Sequence, residues 1–239
     1  MTEQDFFSTL ELSDCHAKVM VASSPFRREP FARWRSWLRD GEIQRLAMFR
    51  RRVEQELFIA RRGLARESIA QMLAVRPSSV HFSVDDLGKL GWASDDLDSL
   101  QTRSHCEFDF SISKTPGRVA MAACPSGRVG VDIETIGPLP ELEMLAKQNL
   151  HPNELQIWHT IPIADRTSAY YHLWVVKEAF AKALGTGLSQ SPDSILSIHA
   201  LEGLPRGSVK ATDSDSYLHV GMFWMTTLGE MGRIAVVTL

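Results

Sequence analysis

The chain has 239 residues, 44% hydrophobic and 23% charged, with a formal net charge of −3. These proportions are ordinary for a globular protein and exclude one dominated by disorder, and the length suffices to bury a substantial core in one large domain or two small ones. No apolar run approaches the ~20 residues of a membrane span, and Met1-Thr2-Glu3-Gln4-Asp5 lacks the basic and apolar regions of a secretory signal, so a cytoplasmic location with no membrane partner is expected.

In chain order, the N-terminal stretch with Pro25 and Pro30 reads as irregular. From about Glu42 to Val75 the apolar residues Leu46, Phe49, Val53, Leu57, Leu64, Ile69 and Leu73 recur at broadly helical spacing and predict one long helical region. Arginines crowd the segment from Arg27 to Arg66, including Arg50-Arg51-Arg52 and Arg61-Arg62. Most read as a solvated helix face, although such a region suits an anionic ligand: a nucleotide phosphate, an acidic protein or nucleic acid. Pro77-Ser78-Ser79 ends the helix, residues 80–84 alternate like a strand, and 85–103 reads as loop. Short strands at 108–112, 119–123 and 129–133, with turns at Pro116-Gly117 and Pro125-Ser126-Gly127, predict an antiparallel meander. Helices follow at 141–148, 152–159 and 164–184, the last stopped by Gly185. Strands at 209–211, 218–224 and 234–239 close an α+β fold without a visible short repeat. Cys15, Cys106 and Cys124 are too scattered for a disulfide framework or zinc site and read as reduced structural residues.

Two segments carry chemistry. In Gly130-Val131-Asp132-Ile133-Glu134 the strand period points Val131 and Ile133 to one face and Asp132 and Glu134 to the other. In the helix at 164–184, Trp174, Glu178 and Lys182 recur every four residues and share a face, while Lys177 points elsewhere. Three clustered carboxylates repel one another unless a cation sits among them, and an oxygen-only donor set favours magnesium, with manganese as a substitute. Magnesium held by few carboxylates completes its shell with water and substrate phosphate oxygens, and the neighbouring lysines suit such phosphates. Trp34, Trp37, Trp158 and Trp224 read as packing residues, and the eight histidines lack zinc-site spacing.

Together these segments resemble the signature of the 4'-phosphopantetheinyl transferases of the surfactin type: a Gly-hydrophobic-Asp-hydrophobic-Glu strand, then a Trp-x-x-Lys-Glu-Ala-x-x-Lys helix, here Gly130–Glu134 and Trp174–Lys182. The resemblance continues through Phe110-Ser111-Ile112-Ser113, Gly187-Leu188-Ser189 with Pro192-Asp193-Ser194, and more loosely Arg62-Gly63-Leu64-Ala65-Arg66 and Gly88-Lys89, covering most of the chain from about residue 45. It implies two similar α/β halves about a pseudo-twofold axis, each with a small antiparallel sheet and helices. Residues 1–129 would form the coenzyme A-binding side, and 130–239 would carry the metal and pyrophosphate motifs. It further implies a monomer that moves 4'-phosphopantetheine from coenzyme A to a serine of an acyl or peptidyl carrier protein of fatty-acid, polyketide or nonribosomal-peptide synthesis, releasing adenosine 3',5'-bisphosphate. No nucleic-acid partner is implied.

Carried over residue by residue, the resemblance assigns magnesium to Asp132, Glu134 and Glu178, and a catalytic phosphate contact to Lys182, with Lys177 a lesser candidate. Glu154 falls where relatives carry a glutamate proposed as general base, although a helix first-turn acid is an equal reading. Arg62, Arg66, Lys89, Ser113 and Lys114 complete the coenzyme-binding candidates. Two departures stand out: Lys114 replaces the histidine that usually follows the Ser-Ile-Ser triplet, keeping the cation, and Leu90 replaces the proline that commonly follows Gly-Lys. These departures are the only hints of the alternative, a non-catalytic relative that binds coenzyme A or a carrier. A nucleic-acid module would leave the carboxylates unexplained, and a different magnesium-dependent nucleotide enzyme lacks a phosphate-loop or dinucleotide fingerprint.

Overall fold

The computed structural model describes residues 8–10, 12, 15–24, 28–84, 90–94, 108–186, 191–212, 218–228 and 232–239. They fall into two compact units, Met1–Ser126 and Gly127–Leu239. Both mix helices with small antiparallel sheets, as the expected α+β class requires. None of the described helices is long and apolar enough to cross a membrane.

The first unit runs β1 (Ser8–Leu10), β2 (Lys18–Ser23), α1 (Arg28–Ser36), α2 (Asp40–Ala47), α3 (Arg52–Leu73), β3 (Val80–Val84), β4 (Leu90–Ser94), β5 (Asp109–Thr115) and β6 (Arg118–Cys124). Its main sheet has the order β1-β2-β6-β5, and β3 pairs with β4. Met20, Met121, Val119 and Phe110 of the sheet pack with Leu57, Leu64 and Ile69 of α3. Helix α1 rests on α3 where Gly63 has no side chain; a Cβ there would lie 2.0 Å from Cγ of Trp34.

Three expectations about this unit fail for local reasons. The described part of the N-terminal stretch forms β1, β2 and α1, and Pro30 is tolerated because it lies in the first turn of α1, where a missing N–H costs nothing, while Pro25 lies outside the described residues. The single long helix is two helices. Phe49 turns back to meet Phe58 at 5.5 Å between centroids, and its carbonyl accepts a hydrogen bond from Gln55 Nε2, so the chain leaves the α2 axis before α3 begins. The segment read as loop contains β4, whose Trp92 lies opposite Phe82 in the β3–β4 ladder.

The second unit runs β7 (Val129–Thr135), α4 (Leu142–Asn149), α5 (Pro152–Trp158), α6 (Ile163–Leu184), β8 (Ile195–Leu196), α7 (Ile198–Leu201), β9 (Arg206–Thr212), β10 (Leu218–Leu228) and β11 (Gly232–Thr238). Its antiparallel sheet has the order β7-β11-β10-β9-β8. The expected three-strand meander is corrected here: β5 and β6 form a hairpin, but β7 pairs with β11 from the far end of the chain. Gly127, at φ +91°, lies in the turn between β6 and β7. Helix α6 covers the sheet through Val175, Val176, Ala179, Phe180 and Ala183, meeting Phe223, Met225, Ala235 and Val237.

Strand β7 and helix α6 are exceptionally close at Gly130, where a Cβ would sit 1.8 Å from the carbonyl oxygen of Ala179 and 2.6 Å from the backbone nitrogen of Ala183. Backbone, unlike a flexible side chain, cannot swing aside. Gly130→Ala is therefore expected to destabilise the fold by about 3 kcal/mol, the upper end for overpacking, read as a lowered denaturant midpoint with unchanged m-value.

Candidate functional site

Strand alternation carries the Gly130 face through Asp132 to Glu134, so both carboxylates are on the side that α6 covers. Asp132 is only 3% exposed, and Nζ of Lys182 donates to its Oδ1 at 2.5 Å. Glu178 lies one turn before Lys182 on α6. Burial raises its pKa above the usual carboxylate range; Lys182 opposes that shift and Asp132 adds to it. The two acids thus repel across the strand–helix gap, with one ammonium between them. Glu134 is half-buried at the next inward-facing position, directly opposite Arg233 of β11.

The expected three-carboxylate cluster needs correction. Among the described residues, no three His, Cys, Asp or Glu side chains are grouped closely enough to hold a metal ion. The strand repeat explains this, because two residues advance the chain by about 6.6 Å, placing Glu134 a full pleat beyond Asp132. Asp132 and Glu178 are the acids brought together. Their donor chemistry still suits a hard divalent cation, because magnesium typically uses one or two carboxylates and takes its remaining oxygens from water and substrate phosphates.

Glu154 and Lys177 are placed differently from their sequence assignments. Glu154 is fully buried: Oε2 accepts from His151 N at 2.9 Å and lies 2.6 Å from Lys177 Nζ, and Oε1 accepts from Ser197 N at 2.7 Å. Lys177, 2% exposed, also donates to the carbonyls of Asn149, Pro192 and Ile195 at 3.0, 2.9 and 2.6 Å. Burial lowers the Lys177 pKa, and Glu154 opposes that shift. Neither side chain reaches a ligand from this position. The helix-start reading of Glu154 is the one its capping box displays. Trp174 of the motif stacks on Tyr170 at 6.1 Å between centroids.

In the first unit, Arg66 is wholly buried, donating to both Glu42 oxygens at 2.7 and 3.3 Å and to Val80 O at 3.2 Å, with its guanidinium 4.8 Å from the Phe82 ring centroid. It is a packing residue and no phosphate contact as placed. Arg62 shares Glu42 at 3.2 Å and lies over Phe58 and Phe82. Burial, chiefly, pushes its pKa down to about 10. Arg62 Nη1 and Arg61 Nε are buried without hydrogen-bond partners, and Arg61 is shifted down by burial and then by Arg45. The sequence shows these arginines crowded together but reads most of them as a solvated face, whereas Arg61, Arg62 and Arg66 are drawn into the interior. Ser113 and Lys114, adjacent on β5, face opposite sides of the sheet: Ser113 is buried, and Lys114 is exposed on the Phe110 side. Lys89 lies outside the described residues.

Sequence reading also missed His172 and Arg233. Arg233 Nε donates to His172 Nε2 at 3.0 Å, and burial, with Arg233 second, lowers the His172 pKa to about 4. A histidine neutral when folded but ready to protonate at its ordinary 6.5 when unfolded makes stability fall as pH drops from 6.5 towards 4. The slope is at most about 1.4 kcal/mol per pH unit, and less at this half-buried site. His172→Gln, which keeps an acceptor but does not titrate, is expected to flatten that part of the stability–pH curve measured by urea unfolding.

Residues 128–225 match the sequence model of the 4'-phosphopantetheinyl transferase superfamily. The chain is 27% identical over 155 residues to the 4'-phosphopantetheinyl transferase HetI of Nostoc, covering 64% of this chain and 62% of that one. It is 28% identical over 170 residues to the 4'-phosphopantetheinyl transferase Sfp of Bacillus subtilis, covering 71% and 70%. The match thus spans less than two thirds of HetI. The Thermotoga maritima holo-[acyl-carrier-protein] synthase overlaps 47% of this chain and 62% of its own at 21% identity and a TM-score of 0.31, too loosely to inform the fold or the site.

Proposed function

We propose, from the match of residues 128–225 to the sequence model of the 4'-phosphopantetheinyl transferase superfamily, that this protein is a transferase of the surfactin type. It moves the 4'-phosphopantetheine group of coenzyme A onto a serine hydroxyl of an acyl or peptidyl carrier protein and releases adenosine 3',5'-bisphosphate. The observation that carries this reading is the facing of buried Asp132 by Glu178 and Lys182. Two acids with a lysine between them suit a polyanion accompanied by a divalent cation.

In this mechanism Asp132 and Glu178 would hold magnesium. Such an ion would supply positive charge to offset the negative charge of the pyrophosphate and of the departing bisphosphate. Lys182, one turn from Glu178 and 30% exposed, divides its hydrogen bonds between Asp132 and a phosphate oxygen. Arg62 and Lys114 are further candidate phosphate contacts in the first unit. Glu154, buried against Lys177 in the C-terminal half of α6, is not assigned the serine proton. The test is incubation with coenzyme A, magnesium and several apo carrier proteins, followed by intact mass. A phosphopantetheine mass gain that a chelator abolishes is expected; coenzyme A binding without gain on any carrier would move the protein to the non-catalytic alternative.

A further inference from the structure

Glu42 joins α2 to α3. Its Oε2 accepts from Nη2 of Arg66 at 2.7 Å, and its Oε1 lies 3.2 Å from Nε of Arg62. Arg45 follows three residues later on α2, on the same side of that helix, and Arg61 precedes Arg62 on α3. Arg45 is near enough for its charge to lower the pKa of both Arg61 and Arg62. Four guanidiniums thus gather around one carboxylate, which Arg62 and Arg66 occupy. The acids of α3 are engaged elsewhere: Glu54 with Arg51 at 3.8 Å, Glu56 with Arg52 at 2.8 Å and Glu67 with Arg33 at 2.7 Å. Among the described residues the side chains of Arg45 and Arg61 have no hydrogen bond or ion pair, and Nε of Arg61 and Nη1 of Arg62 are buried without an acceptor. A guanidinium stays charged at neutral pH even where burial lowers its pKa, so the cost of these buried donors is relieved by an anion and not by loss of a proton.

We propose that Arg45 and Arg61, backed by Arg62, bind a phosphate-type dianion between α2 and α3. Two guanidiniums without an acid match the charge of a phosphomonoester, about −1.5 to −2 at pH 7, and the planar fork of arginine fits phosphate oxygens in pairs. A single carboxylate would leave one of the two arginines unpaired. The arginines that the family resemblance carries onto α3, Arg62 and Arg66, are the ones Glu42 already occupies, whereas Arg45 and Arg61 lie outside that motif. The dianion has two sources: the 3'-phosphate of coenzyme A, or free phosphate. Assignment to the coenzyme rests on the transferase reading; the site itself does not.

The test is calorimetric titration of the full chain at low salt with inorganic phosphate, coenzyme A and 3'-dephospho-coenzyme A, together with thermal unfolding with and without phosphate. The proteins are wild type, Arg45→Gln, Arg61→Gln and, as a control on the exposed face of α1, Arg35→Gln. Wild type and Arg35→Gln are expected to bind phosphate and to gain Tm with it. Arg45→Gln and Arg61→Gln are each expected to bind roughly tenfold more weakly, the scale of one charge-assisted hydrogen bond. Without phosphate, Arg61→Gln is expected to match or exceed the wild-type Tm, because it removes an unpaired charge, and to lose most of the phosphate-induced rise. A tenfold weaker affinity of wild type for the dephospho form, absent in Arg61→Gln, identifies the coenzyme's 3'-phosphate as the source. Equal affinities for the two coenzymes, with phosphate binding still dependent on Arg61, identify free phosphate. Phosphate binding without coenzyme A binding leaves the site standing and overturns the transferase reading. No binding of phosphate or coenzyme A by wild type, or unchanged binding in both Arg45→Gln and Arg61→Gln, overturns the inference.

Discussion

Glu178→Gln is expected to lower carrier modification on the order of a thousandfold in kcat, the scale on which losing one element of a preorganised electrostatic site acts, while leaving the protein at least as thermally stable as the wild type. The two halves of this expectation share one cause. Burial and Asp132 push the Glu178 pKa up, so its ionised form costs the protein stability at neutral pH. A carboxylate with a raised folded-state pKa has its stability contribution intact below its unfolded pKa and loses it as pH rises through the folded value. A neutral amide of the same shape relieves that cost and, on the proposed reading, removes a metal donor. Intact mass of the carrier gives the rate, and thermal unfolding near neutral pH gives the stability. A lowered Tm accompanying the lost activity would make Glu178 a packing residue.

Lys177→Met is expected to have the largest effect on stability. Removing the ammonium leaves Glu154, fully buried, without its counter-ion, and the carbonyls of Asn149, Pro192 and Ile195 without their shared donor. Breaking a buried pair from one side costs about 3–5 kcal/mol, which for a chain of this size is on the order of 10 °C in Tm. The double variant Lys177→Met/Glu154→Leu is expected to lose less than the sum of its single variants, because no unpaired charge remains. The fraction of Lys177→Met that folds is expected to retain the wild-type Michaelis constant for coenzyme A. A tenfold rise in that constant with an unchanged Tm would restore the lysine to ligand binding.

What could be read from sequence follows how far each feature depends on neighbours. Alternation placed Asp132 and Glu134 on one face, and four-residue spacing placed Glu178 beside Lys182, because both patterns are local geometry. The partner of β7 was not legible, since β11 lies about a hundred residues away and nothing in Gly130–Glu134 specifies it. Arg233 and His172 were missed for the same reason: their pairing exists only once that ladder forms. Lys177 and Glu154 carry charges that suggest chemistry, and only the packing of α5, α6 and β8 shows that they neutralise each other. Pro30 misled because a proline ends a helix or begins one according to which turn it occupies.

The separation of Asp132 from Glu178 is governed two residues upstream, by the hydrogen that Gly130 carries in place of a side chain. That hydrogen works as the gauge of the site: with it, strand and helix backbones touch and an aspartate can meet groups on α6 that it would otherwise face across a wider gap. Any larger residue at 130 that the fold survived would act as a shim, widening the site while leaving every charge in place. The reach between the strand and helix that carry the two acids is in this sense set by a position that has no functional group.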